Sequence, residues 1–306
     1  MSVFVLEQLL NGLQLGVTLF LLAAGLTLIF GIMGIINLAH GSLFMIGAYA
    51  AALVARETGS WLLAVPAGLL AAGLAGMLVE MVVMRRLYDR DHLDQVLATY
   101  GLILFCNELV TLLVGRQPLF VGIPPALSGA IELIPGVPYS IYRLSIIAIG
   151  LALAVGLYLL IQRTRLGMLI RAGATHREVV SALGVDIRLL YTLVFGLGAV
   201  LAGFAGIMMG PLLSVQVGMG EQILIMTFVV VVVGGVGSIR GAFWGSMIVG
   251  MVDTMLRGFV PGWVRALITD ASQADALSAG LSSMGVYLLM ALVLLFRPQG
   301  LFPARA

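Results

Sequence analysis

A few polar side chains interrupt long apolar stretches of this sequence, and their chemistry limits what the protein can do. Asn37 and His40 lie between two apolar runs, flanked by glycines, and Asn107 and Glu108 lie within another run. Together with Ser42, these residues could form hydrogen bonds with a small polar solute along a path through a membrane. The structural interpretation is that Asn37 caps a helix, His40 bonds a carbonyl group, and Asn107 with Glu108 pairs with a neighbouring helix.

The sequence offers little for catalysis. All 16 basic residues are Arg, and without Lys the chain cannot form the phosphate-binding loop GxxxxGK[ST], so a partner would have to supply any ATP hydrolysis by that route. The three His residues are spread over separate segments without an HExxH motif, and we interpret the single cysteine, Cys106, as packing. We therefore expect no catalytic residue, metal site, cofactor or nucleic-acid partner, and an enzyme is the weaker alternative.

The Arg-rich segment at residues 162–188 is a second region of interest. Residues 172–183 predict a short helix, because apolar residues recur every four to five positions among charged ones. Gly184 would end this helix in the left-handed conformation that glycine tolerates. The alternative is a solvated loop whose Arg residues only fix its side of the membrane.

Long apolar runs must position all of these residues. Hydrophobic residues make up 61% of the 306 positions and charged residues 10%, whereas soluble domains are about a quarter charged. The runs cover residues 9–34, 38–55, 61–84, 95–114, 141–161, 189–210, 223–237, 241–256 and 281–296. Since lipid leaves backbone groups without water, we expect an all-α polytopic bundle of about eight or nine hydrophobic segments in one domain, residues 1–306.

Three of these runs, 38–55, 223–237 and 241–256, are short for a complete span and could be broken or re-entrant helices. All three overlap two similar glycine-rich stretches, GIMGIINLAHGSLFMIG from Gly31 and GGVGSIRGAFWGSMIVG from Gly234. An alignment without gaps pairs Gly34 with Gly237, and Gly47 with Gly250. Broken helices at corresponding positions of an internal repeat are typical of transport paths.

The distribution of Arg predicts the orientation. Residues 85–90 and 162–188 are both rich in Arg and should lie in the cytoplasm, with residues 115–140 on the other side. The side of the amino terminus stays open, since it depends on whether residues 38–55 span the membrane. Glu221 falls on the outer side in this scheme, where it would be solvated or would contact a binding protein.

Four motifs resemble one family of membrane proteins. Residues 36–49 (INLAHGSLFMIGAY), 232–246 (VVGGVGSIRGAFWGS) and 296–302 (FRPQGLF) look like permeases of branched-chain amino acid ABC importers. Residues 163–186 are similar to that family's cytoplasmic loop, which presses on the ATPase. Order and length resemble the first of the two related permeases. Ser42 replaces the Glu that follows His-Gly in many amino acid carriers, and relatives that carry urea or amides share these motifs.

The resemblance implies a subunit of a bacterial inner-membrane importer. Its partners would be a second homologous permease, two cytoplasmic ATPases that bind ATP and Mg²⁺, and a periplasmic solute-binding protein. The expected ATPase-coupling residues are Arg171, Ala172, Gly173, Ala174, His176, Glu178, Leu183 and Gly184. A secondary transporter is the alternative transport class, because it also uses repeats and broken helices.

Overall fold

The computed structural model describes residues 2–134, 137–175 and 177–303, and it is mainly helical. Its α-helices are α1 Ser2–Met33, α2 His40–Thr58, α3 Trp61–Val82, α4 His92–Val114, α5 Ile141–Arg163, α6 Arg165–Thr175, α7 Arg177–Ala182, α8 Ile187–Met209, α9 Met219–Gly234, α10 Ile239–Leu267 and α11 Ala271–Phe296. Strands β1 Ala130–Ile134 and β2 Val137–Ser140 pair antiparallel. Short 3₁₀ turns form at Met84–Arg86 and Pro125–Leu127.

The predicted all-α membrane bundle is confirmed, and each of the nine apolar runs coincides with a helix. Among the described residues, six helices are individually long and apolar enough to cross a membrane, and α9 with α10 passes as a pair bent by 118°. Residues 223–237 and 241–256 fall in this bent pair, as expected for a broken or re-entrant span. Helix α10 nevertheless extends well beyond the apolar run, to 29 residues. Arg257 and Pro261 end the apolar run there without ending the helix.

Both glycine-rich stretches contain a break between helices, as their alignment predicts. Residues 34–39 separate α1 from α2, and residues 235–238 separate α9 from α10. Gly34 (φ +68°) and Gly237 (φ +78°), which the alignment pairs, both have left-handed backbone. The second break lies beside the end of α1, since a Cβ on Gly31 would lie 3.7 Å from the Gly237 carbonyl oxygen.

Helix α1 lies at the centre of the bundle. It packs against α5, α8, α9 and α10, and its residues Leu19, Leu22 and Ile29 have no exposed surface. The backbones of α1 and α10 nearly touch, because a Cβ on Gly250 would lie 2.5 Å from the Gly16 nitrogen. Small residues permit this approach, which favours helix association where lipid supplies no hydrophobic drive.

The two Arg-rich loops lie at the same end of the bundle, as predicted. The ring of Tyr88, in the first loop, makes an edge-to-face contact with the ring of Tyr191, at the start of α8 just after the second loop, with centroids 5.2 Å apart. We call this end, where α6 and α7 also lie, the loop face. Helix α1 ends there, since Tyr191 donates a hydrogen bond to the Ile32 carbonyl at 3.5 Å.

The amino-terminal part of α1 lies at the opposite end. Arg143, at the start of α5, donates to Asn11 Oδ1 at 2.6 Å, and Tyr139 of β2 donates to the same oxygen at 3.2 Å. The side of the amino terminus, which the sequence left open, is therefore the face opposite the loop face. Residues 34–39 turn the chain back into the bundle, because His40 at the start of α2 reaches Leu22 in α1.

Candidate functional site

The first break brings three candidate polar residues into the interior. Asn37 and His40 are fully buried and Ser42 nearly so, at 5% exposure. Asn37 Oδ1 accepts a hydrogen bond from the Ala39 backbone N–H at 3.0 Å, and His40 Nε2 lies 3.2 Å from the Leu22 carbonyl oxygen. One polar atom of each side chain therefore stabilises the break itself.

Asn37 and His40 each keep one further polar atom that is unsatisfied. Asn37 Nδ2 and His40 Nδ1 have no hydrogen-bond partner among the described residues, and neither do the hydroxyls of Thr27 and Tyr49. A buried polar group without a partner costs about 1 to 3 kcal/mol, so such groups are rare unless they meet water or a ligand in another state. The break therefore holds spare hydrogen-bonding capacity inside a membrane bundle.

Glycine shapes the space around the imidazole. A Cβ on Gly25 would lie 3.0 Å from both Cε1 and Nε2 of His40, and 2.7 Å from the Gly198 carbonyl oxygen. No larger residue fits at position 25 without moving α8 or the ring. The ring is consequently held against the backbone of α1, with Nδ1 as its free polar atom.

The other two candidates, Asn107 and Glu108, are neighbours on α4 but point in different directions. Asn107 donates a hydrogen bond to the Glu221 carboxylate at the start of α9, so the amide joins two helices. Glu108 is exposed on the outer face of α4. Because an ionised carboxylate facing lipid is unfavourable, this face fits contact with protein or a water-filled path better than contact with lipid alone.

The Arg-rich segment forms the helices α6 and α7. Helical structure begins at Arg165, seven residues before the predicted residue 172, and α7 ends at Ala182, one residue before Leu183. The predicted start is wrong because residues 165–171 continue the apolar pattern on one side, with Gly167 and Ile170 buried. Gly184 has the predicted left-handed backbone, at φ +87°.

The coupling candidates differ in their exposure. Arg171 donates to the Ile161 carbonyl at the end of α5, and Gly173 packs against Leu190, to which its Cβ would come within 3.3 Å. Ala174 and Glu178 are exposed and Ala172 is half-buried, while Leu183 is 78% exposed. His176 lies outside the described residues. One side of this segment thus packs on the spans, and the other is open at the loop face.

Sequence reasoning missed a buried polar network beside this segment. Glu80 on α3 has no exposed surface, and Arg85 pairs with its carboxylate at 3.0 Å. Thr192 on α8 donates to the same carboxylate at 2.6 Å and accepts from Arg85 at 2.9 Å, while Tyr88 also donates to Glu80. The network fastens the loop-face ends of α3 and α8 to each other.

Burial also affects the phenol of this network. Desolvation raises the pKa of Tyr88, and the hydrogen bond to the Glu80 carboxylate raises it further. Tyr88 therefore stays a neutral donor throughout the physiological pH range. A signal for the network existed in the sequence, since Glu80 is the single acidic residue in the run 61–84 and Arg85 follows five positions later.

A cavity of about 720 Å³ lies at the loop face beside the network. It is lined by Arg85, Tyr88, Asp89, Glu178, Ser181, Ala182, Ile187, Arg188 and Tyr191. The cavity therefore lies between the α3–α4 loop and α7, and both of its walls connect to long helices. Pressure applied there by a partner would act on α3, through the network, and on α8, through its first turn.

Comparisons with known proteins identify the family of this chain. The family model described as branched-chain amino acid transport system / permease component matches residues 8–296. The chain is similar to the high-affinity branched-chain amino acid transport system permease protein BraD of Pseudomonas aeruginosa, with 32% identity over 97% of this chain and 95% of that protein. The corresponding permease protein LivH of Salmonella typhimurium is 30% identical over 84% of this chain and 87% of its own length.

A more distant relative is the probable branched-chain amino acid transport permease protein LivH of Methanocaldococcus jannaschii, 26% identical over 78% of this chain and 76% of that protein. No solved structure matches the chain. The family match over residues 8–296 spans both breaks and the α6–α7 segment.

Proposed function

We propose, from the premise that the chain belongs to the family of branched-chain amino acid transport system permease components, that it forms the translocation path of an ABC importer for branched-chain amino acids. The observation that carries this proposal is the family match over residues 8–296. The match includes the membrane helices, both breaks and the α6–α7 segment, so residues 1–306 would act as one permease domain. The family is one of transport subunits, and catalysis would belong to partners.

The path would pass the two breaks, which lie beside α1. Asn37 and His40 each keep one unpartnered polar atom in the described structure, and Ser42 lies two residues after His40 in the first turn of α2. Opening of the break would present these atoms to a solute with its own polar groups. Asn107 would serve the same path from α4, through its contact with Glu221 on α9. Glu108 faces away from the bundle and would meet solute only where a partner subunit encloses that face.

Energy would enter at the loop face. Helices α6 and α7 would contact a cytoplasmic ATPase, and the exposed Glu178 and Leu183 are suited to that contact. Movement would reach α8 through Gly184 and reach α3 through the Glu80 network. The loop face would therefore be cytoplasmic, which the Arg residues of the two loops favour.

The complete importer would contain further subunits. A second homologous permease would cover part of the exposed apolar surface, and two ATPases would bind ATP and Mg²⁺, for which this chain has no Lys-containing phosphate loop. A periplasmic binding protein would deliver solute at the face opposite the loop face. The assembly would lie in the bacterial inner membrane.

The solute class is the first point to test. Ser42 in place of Glu after His-Gly favours a test of urea and small amides beside the branched-chain amino acids. The binding protein that co-purifies with the complex should be identified, and its thermal stability measured with leucine, isoleucine, valine, urea and acetamide. Stabilisation by the amino acids alone is the expected result. Stabilisation by urea or acetamide alone would contradict the amino acid assignment.

A further inference from the structure

A lateral groove on the outside of the bundle has the polarity profile of a phospholipid. Its floor is α1 and its walls are α5 and α10, both of which pack on α1. The groove encloses about 420 Å³ and is lined mainly by apolar side chains, with Arg240 as the one charged residue in that lining. Its lining shares no residue with the buried polar residues of the first break or with the cavity beside α7.

The groove runs from the interior of the bundle to the loop face. Its deep part contains Leu151 and Phe20, and Phe20 makes an edge-to-face contact with Phe243 at a centroid distance of 5.3 Å. Tyr158 lies seven residues further along α5, near the end of that helix at Arg163. At 1.5 Å per residue, the apolar wall between Leu151 and Tyr158 is about 10 Å long.

The loop-face end of the groove differs in chemistry. Arg240 lies in the first turn of α10 and is exposed, and its guanidinium makes no ion pair or hydrogen bond with the described part of the chain. Trp244 and Tyr158, which are 52% and 48% exposed, line the groove beside it. Aromatic side chains of this kind concentrate at membrane interfaces, where lipid headgroups lie.

We propose that this groove binds an anionic phospholipid of the leaflet at the loop face, with an acyl chain along α5 and the phosphate group on Arg240. Basic pockets between membrane helices bind anionic headgroups in this way. The guanidinium supplies donors for phosphate oxygens, and the apolar wall takes the chain. Contact with a second permease would cover the apolar wall, but it would not by itself account for one unpaired cation at the mouth of the groove.

The test uses the complete complex in nanodiscs of phosphatidylcholine with a small fraction of phosphatidylglycerol that carries a photoactivatable acyl chain. Peptides containing residues 151–158 and 240–244 should be labelled. One cationic residue near the surface contributes about 1 kcal/mol to anionic lipid binding, so Arg240→Gln should reduce this labelling about 5-fold. Arg240→Lys should retain most of it, and excess inorganic phosphate should not compete.

Two further variants separate lipid binding from general effects. Ala154→Trp keeps the cation and fills the groove, so it should also abolish labelling of these peptides. Arg297→Gln removes an exposed Arg that follows α11, outside the groove, and should leave labelling unchanged. Equal labelling of wild type and Arg240→Gln would overturn the proposal. A disulfide between a cysteine at Val155 and a cysteine of the second permease would overturn it as well, because that subunit would then fill the groove.

Discussion

The Glu80 network allows a quantitative test of how the loop face is held together. Arg85→Met keeps a side chain of similar length and removes the cation that pairs with Glu80 at 3.0 Å. The carboxylate, which has no exposed surface, would keep the hydroxyls of Thr192 and Tyr88 as donors. Its negative charge would then be buried without a cation to pair with.

The expected destabilisation follows from this geometry. Removing one partner of a buried ion pair costs about 3 to 5 kcal/mol. The side chain of Arg85 is 32% exposed, so water already screens part of the pair, and we expect about 3 kcal/mol, the lower end of that range. The double variant Glu80→Gln/Arg85→Met removes both charges and should recover about 2 kcal/mol of this loss, since the Gln carbonyl can still accept from the hydroxyls.

The assay is the unfolding free energy of the purified chain in mixed micelles with increasing SDS. Arg86→Met is the matched control, because the adjacent Arg86 is exposed and makes no ion pair within the described residues; its effect should stay within about 0.5 kcal/mol. A loss below about 1 kcal/mol for Arg85→Met, or a double variant no more stable than the single one, would refute the reasoning.

Three other predictions concern the loop, the break and the topology. Gly184→Val should reduce uptake at normal membrane levels, because Val is strained by about 1 to 2 kcal/mol at φ +87°, whereas Gly184→Asn should retain transport; equal uptake by both variants would contradict this role. His40→Ala should lower uptake while the melting temperature of the complex stays nearly unchanged. A lower melting temperature, with uptake reduced only in proportion to the amount of intact complex, would indicate a structural role. A cysteine at Ser128 should react with an impermeant reagent outside intact cells, and cysteines at Leu87 and Thr175 should be protected; labelling at Thr175 would reverse the orientation.

The membrane helices could be predicted because lipid leaves the backbone few alternatives. Each apolar run had to satisfy its own N–H and C=O groups, so composition alone indicated helices. Both breaks were also indicated by the sequence, since Gly34 and Gly237 occupy corresponding positions of two similar glycine-rich stretches. In the structure both glycines take left-handed backbone. Gly184 is a third such position, where glycine follows an amphipathic segment.

Contacts between distant parts of the chain could not be predicted in this way. Thr192 reaches Glu80 from 112 positions away, and Asn107 reaches Glu221 from 114 positions away. The spacing of apolar residues does not predict such a pair, although an acidic residue inside an apolar run indicates that a partner is needed. The full length of α10 was missed because Arg257 ends the apolar run, while its pairing with Asp253 one turn earlier at 2.8 Å lets the helix continue.

The most direct test of the central claim is solute uptake by the complex reconstituted with its partner permease, ATPases and binding protein. Proteoliposomes would be oriented with the loop face inward, loaded with ATP and Mg²⁺, and supplied with radiolabelled leucine and binding protein outside. Accumulation of leucine above the external concentration with ATP, and none with a non-hydrolysable analogue, is the predicted result. Leucine accumulation that persists without ATP, or that needs only an ion gradient, would contradict the account.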